Sequence, residues 1–262
     1  MPQSTQYGFR EFRKRLIARE HLLGTFVKIP TPHATEILGG LGFDFVVFDQ
    51  EHAPLGPAAL DIMILAARAV NIAGIVRVRD PSASSILGVL DCGAAGVLVP
   101  HIDTAAKAEE IVVACRYRTG HRGFSTTTRA GGYGRLSYSE HMDAQDNEVA
   151  CIAMIEDISA LNEIDQIVRT PGLDAIFIGR GDLTASIGAP SMMSDETHEV
   201  VVPIMAAAKA AKMPVIMLCP TRADAEKMTA LGASAYLVGS DHGFMAKAAK
   251  EALEMLAAPI AT

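Results

Sequence analysis

The sequence predicts one (β/α)8 TIM barrel, an α/β fold, and three observations predict it. Short apolar runs alternate with helical patterns eight times, the order that builds a parallel sheet from β-α units. The runs are rich in Ile, Val and Ala and lack polar alternation, as strands buried on both faces do. At 262 residues, half of them hydrophobic, the chain has the length and apolar content of one barrel, so residues 1–262 are expected to form a single domain.

In chain order, residues 8–20 read as an extra amphipathic helix before the first strand, placed to plug the lower mouth. The eight strands are LLGTFVKI (22–29), FDFVVFD (43–49), IAGIVRV (72–78), AAGVLVP (94–100), VACIAMIE (149–156), LDAIFIG (173–179), MPVIMLC (213–219) and AYLVGSD (235–241). Helix patterns fill the gaps, among them HATEILGGL, LDIMILAARAV, SASSILGVLDC, AAKAEEIVVACR, ISALNEIDQIVR, DETHEVVVPIMAAAKAAK and RADAEKMTAL. Right-handed crossovers then close the sheet on itself. The last helix, FMAKAAKEALEML, must bury its apolar face against this barrel or a neighbour's. One connection breaks the rhythm. Residues 118–148 form a long Ser/Thr/Gly-rich loop before the fifth strand, of a length that suits a lid, an interface or a packed surface excursion.

Composition excludes several function classes. A net charge of -7 and the lack of a basic, aromatic-laced patch argue against nucleic acid. No apolar stretch has the length of a membrane span, and the polar, charged start does not read as a secretory signal. Cys92, Cys115, Cys151 and Cys219 are far apart and lie in or beside apolar runs, so they read as reduced thiols of a cytoplasmic protein.

Chemistry in such a barrel sits where the strands' carboxyl ends open. Asp44 and Asp174 begin strands and drop out as structural. Left at the productive mouth are Lys28, Asp49, Glu51, His52, Arg77, His101, Glu156, Arg180, Asp182 and Asp241. Glu156 and Asp182 end neighbouring strands and together make an oxygen-rich place for a hard divalent cation, although Asp182 alone could be a helix cap. His52, beside two acids in FDQEH, suits acid/base work. Arg77 is costly to bury in IVRV unless an anion meets it. The GRG before Asp182 fails the dinucleotide spacing and reads as a turn that offers backbone N-H groups to a carboxylate or phosphate. His101 and Asp241 read as supporting or capping residues, and Asp157 as pointing away from the mouth to cap the next helix.

FDQEHAP, IVRV, GAAGVLVP, RYRTGHRG, MIED and FIGRGDL, in this order and spacing, resemble the HpcH/HpaI family of class II pyruvate aldolases, over almost the entire chain. The resemblance implies a metal held by Glu156 and Asp182, with Mg2+, Mn2+ or Co2+ as the cofactor. It makes His52 the acid/base, Asp49 a carboxylate near it, Arg77 the contact to the keto oxygen, and the Gly181-Asp182 backbone the seat of the pyruvate carboxylate. It implies reversible cleavage of a 4-hydroxy-2-oxo acid to pyruvate, or hydroxypyruvate, and an aldehyde through a metal-bound enolate. It also implies a homo-oligomer, a hexamer built as a trimer of dimers with the last helix exchanged between subunits. Two departures stand out. GRGDL replaces the family's GPxDL, so that Arg180 alters the loop or adds a charge beside the substrate, and Lys28 stands where relatives look apolar. Three alternatives stay open on the residues: a Schiff-base aldolase using Lys28, an acyl-CoA lyase of the same superfamily, and a barrel that binds an oxo acid without catalysis.

Overall fold

The computed structural model describes residues 8–257, and within them eight parallel strands pair in sequence order and close into a barrel. The strands are β1 (Leu22–Val27), β2 (Phe45–Asp49), β3 (Ala73–Arg77), β4 (Gly96–Val99), β5 (Ala150–Ile155), β6 (Ala175–Ile178), β7 (Val215–Leu218) and β8 (Ala235–Ser240). Each lies inside its expected run. The expected single domain reaches into the first seven and last five residues, which lie outside the described ones.

Strand geometry alternates side chains across the sheet, and here that alternation divides the core in two. Phe45, Val47, Ala73, Ile75, Ala150, Ile152, Ala175 and Phe177 fill the barrel's interior, while Val46, Phe48, Val76, Cys151 and Ile176 face the surrounding helices. Gly24 of β1 is where a side chain would not fit. A Cβ there would come within 2.6 Å of the Phe45 ring, which occupies the lower interior and lies 5.2 Å, centroid to centroid, from Phe12.

Phe12 belongs to the short helix α1 (Phe12–Ile17), which with Leu16 buries into the lower mouth as the expected plug. The surrounding helices begin with α2 (Pro32–Leu41), α3 (Pro57–Ala69), α4 (Ala83–Asp91) and α5 (Ala105–Cys115). The long excursion is not all loop. It ends in α6 (Tyr138–Glu148), started by a reciprocal capping box between Ser137 and Glu140. Arg129 pairs with Asp61 on α3 and Arg122 with Asp91 on α4. The excursion therefore packs on α3 and α4 and finishes at the foot of β5, where Arg13 of α1 donates to the carbonyls of Asp146 and Asn147. These anchors lie beside α3, α4 and the foot of β5 rather than at the mouth.

The expected helix ISALNEIDQIVR breaks into a 3-10 turn (Ile158–Asn162) and one α turn, α7 (Ile164–Ile167). Glu163 interrupts it with φ -124°, its carboxylate turned to accept from the Ala105 N-H at the start of α5. Next come α8 (Arg180–Ile187), α9 (Asp195–Ala211), α10 (Arg222–Leu231) and α11 (Asp241–Leu256). The last of these buries only Asp241, so its apolar face is not covered by this barrel.

Asp44 and Asp174 are structural, as expected from their places at the strand starts. Asp44 accepts from Arg15 and the Leu23 N-H. Asp174 is buried and accepts from Arg13, Arg116 and the Cys151 N-H at 2.8–2.9 Å, joining the plug to β5 and β6. Asp174→Ala would leave two guanidinium groups facing an apolar foot, and should cost about 3–5 kcal/mol in unfolding free energy by urea titration.

Candidate active site

The inward rows of the strands do not stop at the apolar core. Continued upward, Phe45 and Val47 lead to Asp49, Ala73 and Ile75 to Arg77, Ile152 and Met154 to Glu156, and Leu22 and Phe26 to Lys28. Following these rows places the four strand-end charges Lys28, Asp49, Arg77 and Glu156 at the mouth.

Asp49 and Arg77 stand opposite each other on β2 and β3, and both are buried. Arg77 Nε and Nη2 donate to the two Asp49 oxygens at 2.9 and 2.7 Å, a bidentate pair. Asp49 also accepts the His52 N-H at 3.1 Å, and Lys28 Nζ lies 3.0 Å from its Oδ2. Burial works to raise the Asp49 pKa, but the Arg77 guanidinium with these donors outweighs it and holds the carboxyl at about 2. Arg77 Nη1 lies 3.0 Å from Glu51 Oε2, and the guanidinium stacks over Phe26 at 5.0 Å. The anion expected for Arg77 is therefore supplied in part by the protein.

A second cluster sits across the mouth. Glu156 is buried, accepts the His101 N-H at 3.0 Å, and has His101 Nδ1 at 3.5 Å. Oxygens of Glu51 and Glu156 and a ring nitrogen of His101 all lie within 4.8 Å of one another. Burial raises Glu156 to about 7, with Glu51 and Asp182 adding to the rise and the His101 N-H opposing it. Gly179 makes room for this carboxylate, since a Cβ there would stand 2.7 Å from the Cβ of Glu156 and 3.0 Å from its Oε2. His101 holds its position in the left-handed region, φ 57°, a strained choice for a non-glycine residue that is tolerated at built sites. Burial disfavours charge on His101, but Asp157, Glu156 and Glu51 outweigh it and raise its pKa.

Asp182 is exposed in the first turn of α8 and joins the same mouth, close enough for its charge to act on Glu156. It is not the cap of α8; Gly179 holds that position. Together with Gly181, His52, Lys28 and Arg77 it lines a cavity of about 360 Å³. His52 stands at the rim, its side chain 55% exposed and Nε2 3.8 Å from Glu51 Oε2.

Four residues behave differently from expectation. Asp157 does not point away or cap: it lies two residues past the end of β5, and its carboxylate turns back to His101 Nδ1 at 3.1 Å. His101 stands in the acid cluster rather than behind it. Arg180 adds no open charge, because it is buried in a bidentate pair with Asp224 and also donates to the Leu218 carbonyl. Lys28 is in an ion pair with Asp49, whereas a Schiff-base amine needs a free lone pair. Asp241 does support the site, accepting the N-H groups of Lys28 and Ile29. Glu51 was legible by position, among the charged residues expected just beyond the end of β2.

The family model for HpcH/HpaI aldolase/citrate lyase matches residues 22–248. The chain belongs to this family. It is 33% identical over 235 residues to the 5-keto-4-deoxy-D-glucarate aldolase of Salmonella paratyphi A, covering 89% of this chain and 91% of that one. The structure of an HpcH/HpaI aldolase/citrate lyase family protein from Burkholderia cenocepacia superposes with a TM-score of 0.88 at 26% identity, over 95% of this chain and 100% of that one. The citrate synthase SbnG follows at a TM-score of 0.84 and 31% identity, over 93% and 96%. Each of the two structures covers nearly the whole barrel.

The elevated Glu156 pKa has a signed consequence. Between about 4.5, its ordinary value, and about 7, the folded protein holds a proton that the unfolded chain has lost, so this group's contribution to stability falls as pH rises through that window. In metal-free protein Glu156→Gln should flatten that fall, and at about pH 8 its Tm should equal or exceed that of wild type. Calorimetry with chelator present checks it; a lower Tm with an unchanged pH slope would contradict the assignment.

Proposed function

We propose that this chain is a divalent-metal-dependent aldolase that reversibly cleaves a 4-hydroxy-2-oxo acid into pyruvate, or hydroxypyruvate, and an aldehyde. The reading rests chiefly on one observation. A buried carboxylate with its pKa at about 7, Glu156, faces Glu51, His101 and the charge of Asp182 with no lysine or arginine paired to it among the described residues. Family membership supports it.

The donor set fits a hard cation. Glu51 Oε2 is buried with the Arg77 guanidinium 3.0 Å away and no aligned hydrogen bond, so the carboxylate keeps unused acceptor capacity. Glu156 and Asp182 would hold Mg2+, Mn2+ or Co2+; Glu51 and His101 offer further donor atoms within 4.8 Å of Glu156, a group that does not include Asp182. When bound, such an ion supplies Lewis-acid polarisation of the keto oxygen. The protein's own residues do the rest. Arg77, immobilised by Asp49 and Glu51, keeps a fixed positive charge where the enolate oxygen develops, at no reorganisation cost during the reaction. The N-H groups of Gly181 and Asp182, in the first turn of α8, receive the substrate carboxylate. His52 takes the 4-hydroxyl proton as the carbon-carbon bond breaks and returns it in the synthetic direction. Asp49 sets the orientation of both Arg77 and the His52 backbone.

The proposal extends to a single domain over residues 1–262 and to a cytoplasmic setting, which suits four unpaired thiols. It also extends to a homo-oligomer, a hexamer arranged as a trimer of dimers. Leu253, Met255 and Leu256 on α11 are 68–75% exposed. Beside the helix's start, Ile29, Ile37, Leu41, Phe43, Phe244 and Met245 line an apolar groove. Exchange of α11 between subunits covers both surfaces.

Chelation should abolish aldol cleavage, Glu156→Ala should do the same, and His52→Ala should slow turnover by about 100- to 10,000-fold. Borohydride with pyruvate should leave Lys28 unmodified by mass spectrometry; a trapped adduct would install the Schiff-base mechanism instead. Leu253→Glu combined with Leu256→Glu should reduce the particle mass in light scattering, and an unaltered mass would remove α11 from the interface.

A further inference from the structure

We propose that His101, oriented by Asp157, is a direct ligand of the metal, and that the nitrogen it supplies turns the site from Mg2+ toward a transition ion such as Mn2+ or Co2+. This rests on the metal-dependent aldolase reading and goes beyond it in naming a further donor and the class of ion it selects.

Asp157 decides which ring nitrogen is available. Its carboxylate lies 3.1 Å from His101 Nδ1 and, when ionised, can only accept, so the neutral ring carries its proton on Nδ1 and its lone pair on Nε2. A carboxylate placed in this way fixes the tautomer of a metal-binding histidine and raises its basicity. Nε2 itself stands 3.7 Å from Glu51 Oε1, beyond hydrogen-bond distance. Two donors about 2.1 Å from one ion stand roughly 3–4 Å apart, so this is the spacing of groups that share a cation rather than bond each other. A ring nitrogen of His101, an oxygen of Glu51 and an oxygen of Glu156 all lie within 4.8 Å of one another, brought together from beyond the ends of β4, β2 and β5.

The backbone is built for this placement. His101 lies two residues beyond β4 with φ 57°, and that left-handed turn lets it meet Glu156 twice, through its N-H at 3.0 Å and its Nδ1 at 3.5 Å. The His101 carbonyl accepts from Lys107 of α5 at 3.3 Å, which holds the same peptide from behind. The side chain is left 55% exposed, so an ion reaches it without disturbing the core. Neither Glu156 nor Asp157 is paired with a lysine or arginine among the described residues, so no fixed cation competes for these acids. An all-oxygen site suits Mg2+, whereas imidazole favours ions of the first transition row, Co2+ above Mn2+.

The experiment strips the full-length protein with chelator and reloads it. Electron spin echo envelope modulation of the Mn2+ form reads a nitrogen ligand directly, and calorimetry gives Kd for Mg2+, Mn2+ and Co2+ in wild type, His101→Asn and Asp157→Ala. Asparagine tolerates the left-handed backbone. Wild type should show a coupled nitrogen and bind Co2+ and Mn2+ more tightly than Mg2+. His101→Asn should abolish the coupling and weaken Co2+ and Mn2+ by at least the roughly tenfold to hundredfold that loss of a ligand's outer partner costs, with a much smaller change for Mg2+. Asp157→Ala should keep the coupling and weaken Co2+ and Mn2+ by about tenfold. Wild type that binds Mn2+ without nitrogen coupling would overturn the proposal, even where a variant does not fold, and so would equal weakening of all three ions in His101→Asn; either result leaves the aldolase reading standing. Failure of that reading shows separately, as Mn2+-loaded wild type that has the nitrogen coupling but does not exchange the methyl protons of pyruvate with solvent.

Discussion

The mouth of this barrel depends on the pair between Asp49 and Arg77. Both are buried, and neither charge would be tolerated there alone, since an isolated buried ion is far costlier than a matched one. Once paired, they do more than neutralise each other. The bidentate geometry fixes the guanidinium plane, the spare Asp49 lone pairs capture the His52 N-H and the Lys28 ammonium, and the spare Arg77 nitrogen reaches Glu51. Residues from three strand ends are thereby oriented by one carboxylate. Because Asp49 stays ionised down to about pH 2, this framework does not loosen over the range in which Glu156 titrates.

That contrast divides the site into a rigid half and a responsive half. On the β1 to β3 side each acid has a lysine or arginine. On the β5 side Glu156 has a backbone N-H and an imidazole, and it faces two more carboxylates. Burial and like charge push in one direction, toward a bound proton or a bound cation. A site that carries a metal gains by keeping its principal ligand short of cationic partners, because a lysine there would compete for the same oxygens. His101 is compatible with this arrangement, since its own raised pKa comes from the same acids and a cation among them would reverse the effect.

Much of this was readable from strand parity. Lys28, Asp49, Arg77 and Glu156 all belong to inward rows that begin as apolar core, so a reader who counts in twos from Phe26, Val47, Ile75 and Met154 arrives at the site. Parity holds one residue past the ends of β1 and β5, at Lys28 and Glu156, and its power to predict stops there. Asp157 lies just past that limit and turned back toward the mouth. His101 lies two residues beyond β4 in a left-handed conformation that no local pattern announces, and its backbone N-H matters as much as its ring. The break at Glu163 and the helix at Tyr138–Glu148 were hidden for a related reason. Each is decided by a contact distant in sequence or by a cap inside a polar stretch, whereas hydrophobic periodicity reports only burial. The detachment of α11 could be anticipated as a question but not answered, because an amphipathic helix records that a partner exists and not whose it is.

Arg180 shows how one departure from the family pattern can be absorbed. GRGDL places a long cation at the first position of α8, one residue before Gly181 and two before Asp182. Proline at such a position would restrain the backbone through its ring, since its fixed φ suits the first turn of a helix. Arginine lacks that restraint, but its side chain crosses to Asp224 at the start of α10 and to the Leu218 carbonyl at the end of β7. The same turn is then held from outside rather than from within. Its charge is consumed in the process, as those of Lys28 and Arg77 are by Asp49 and Glu51.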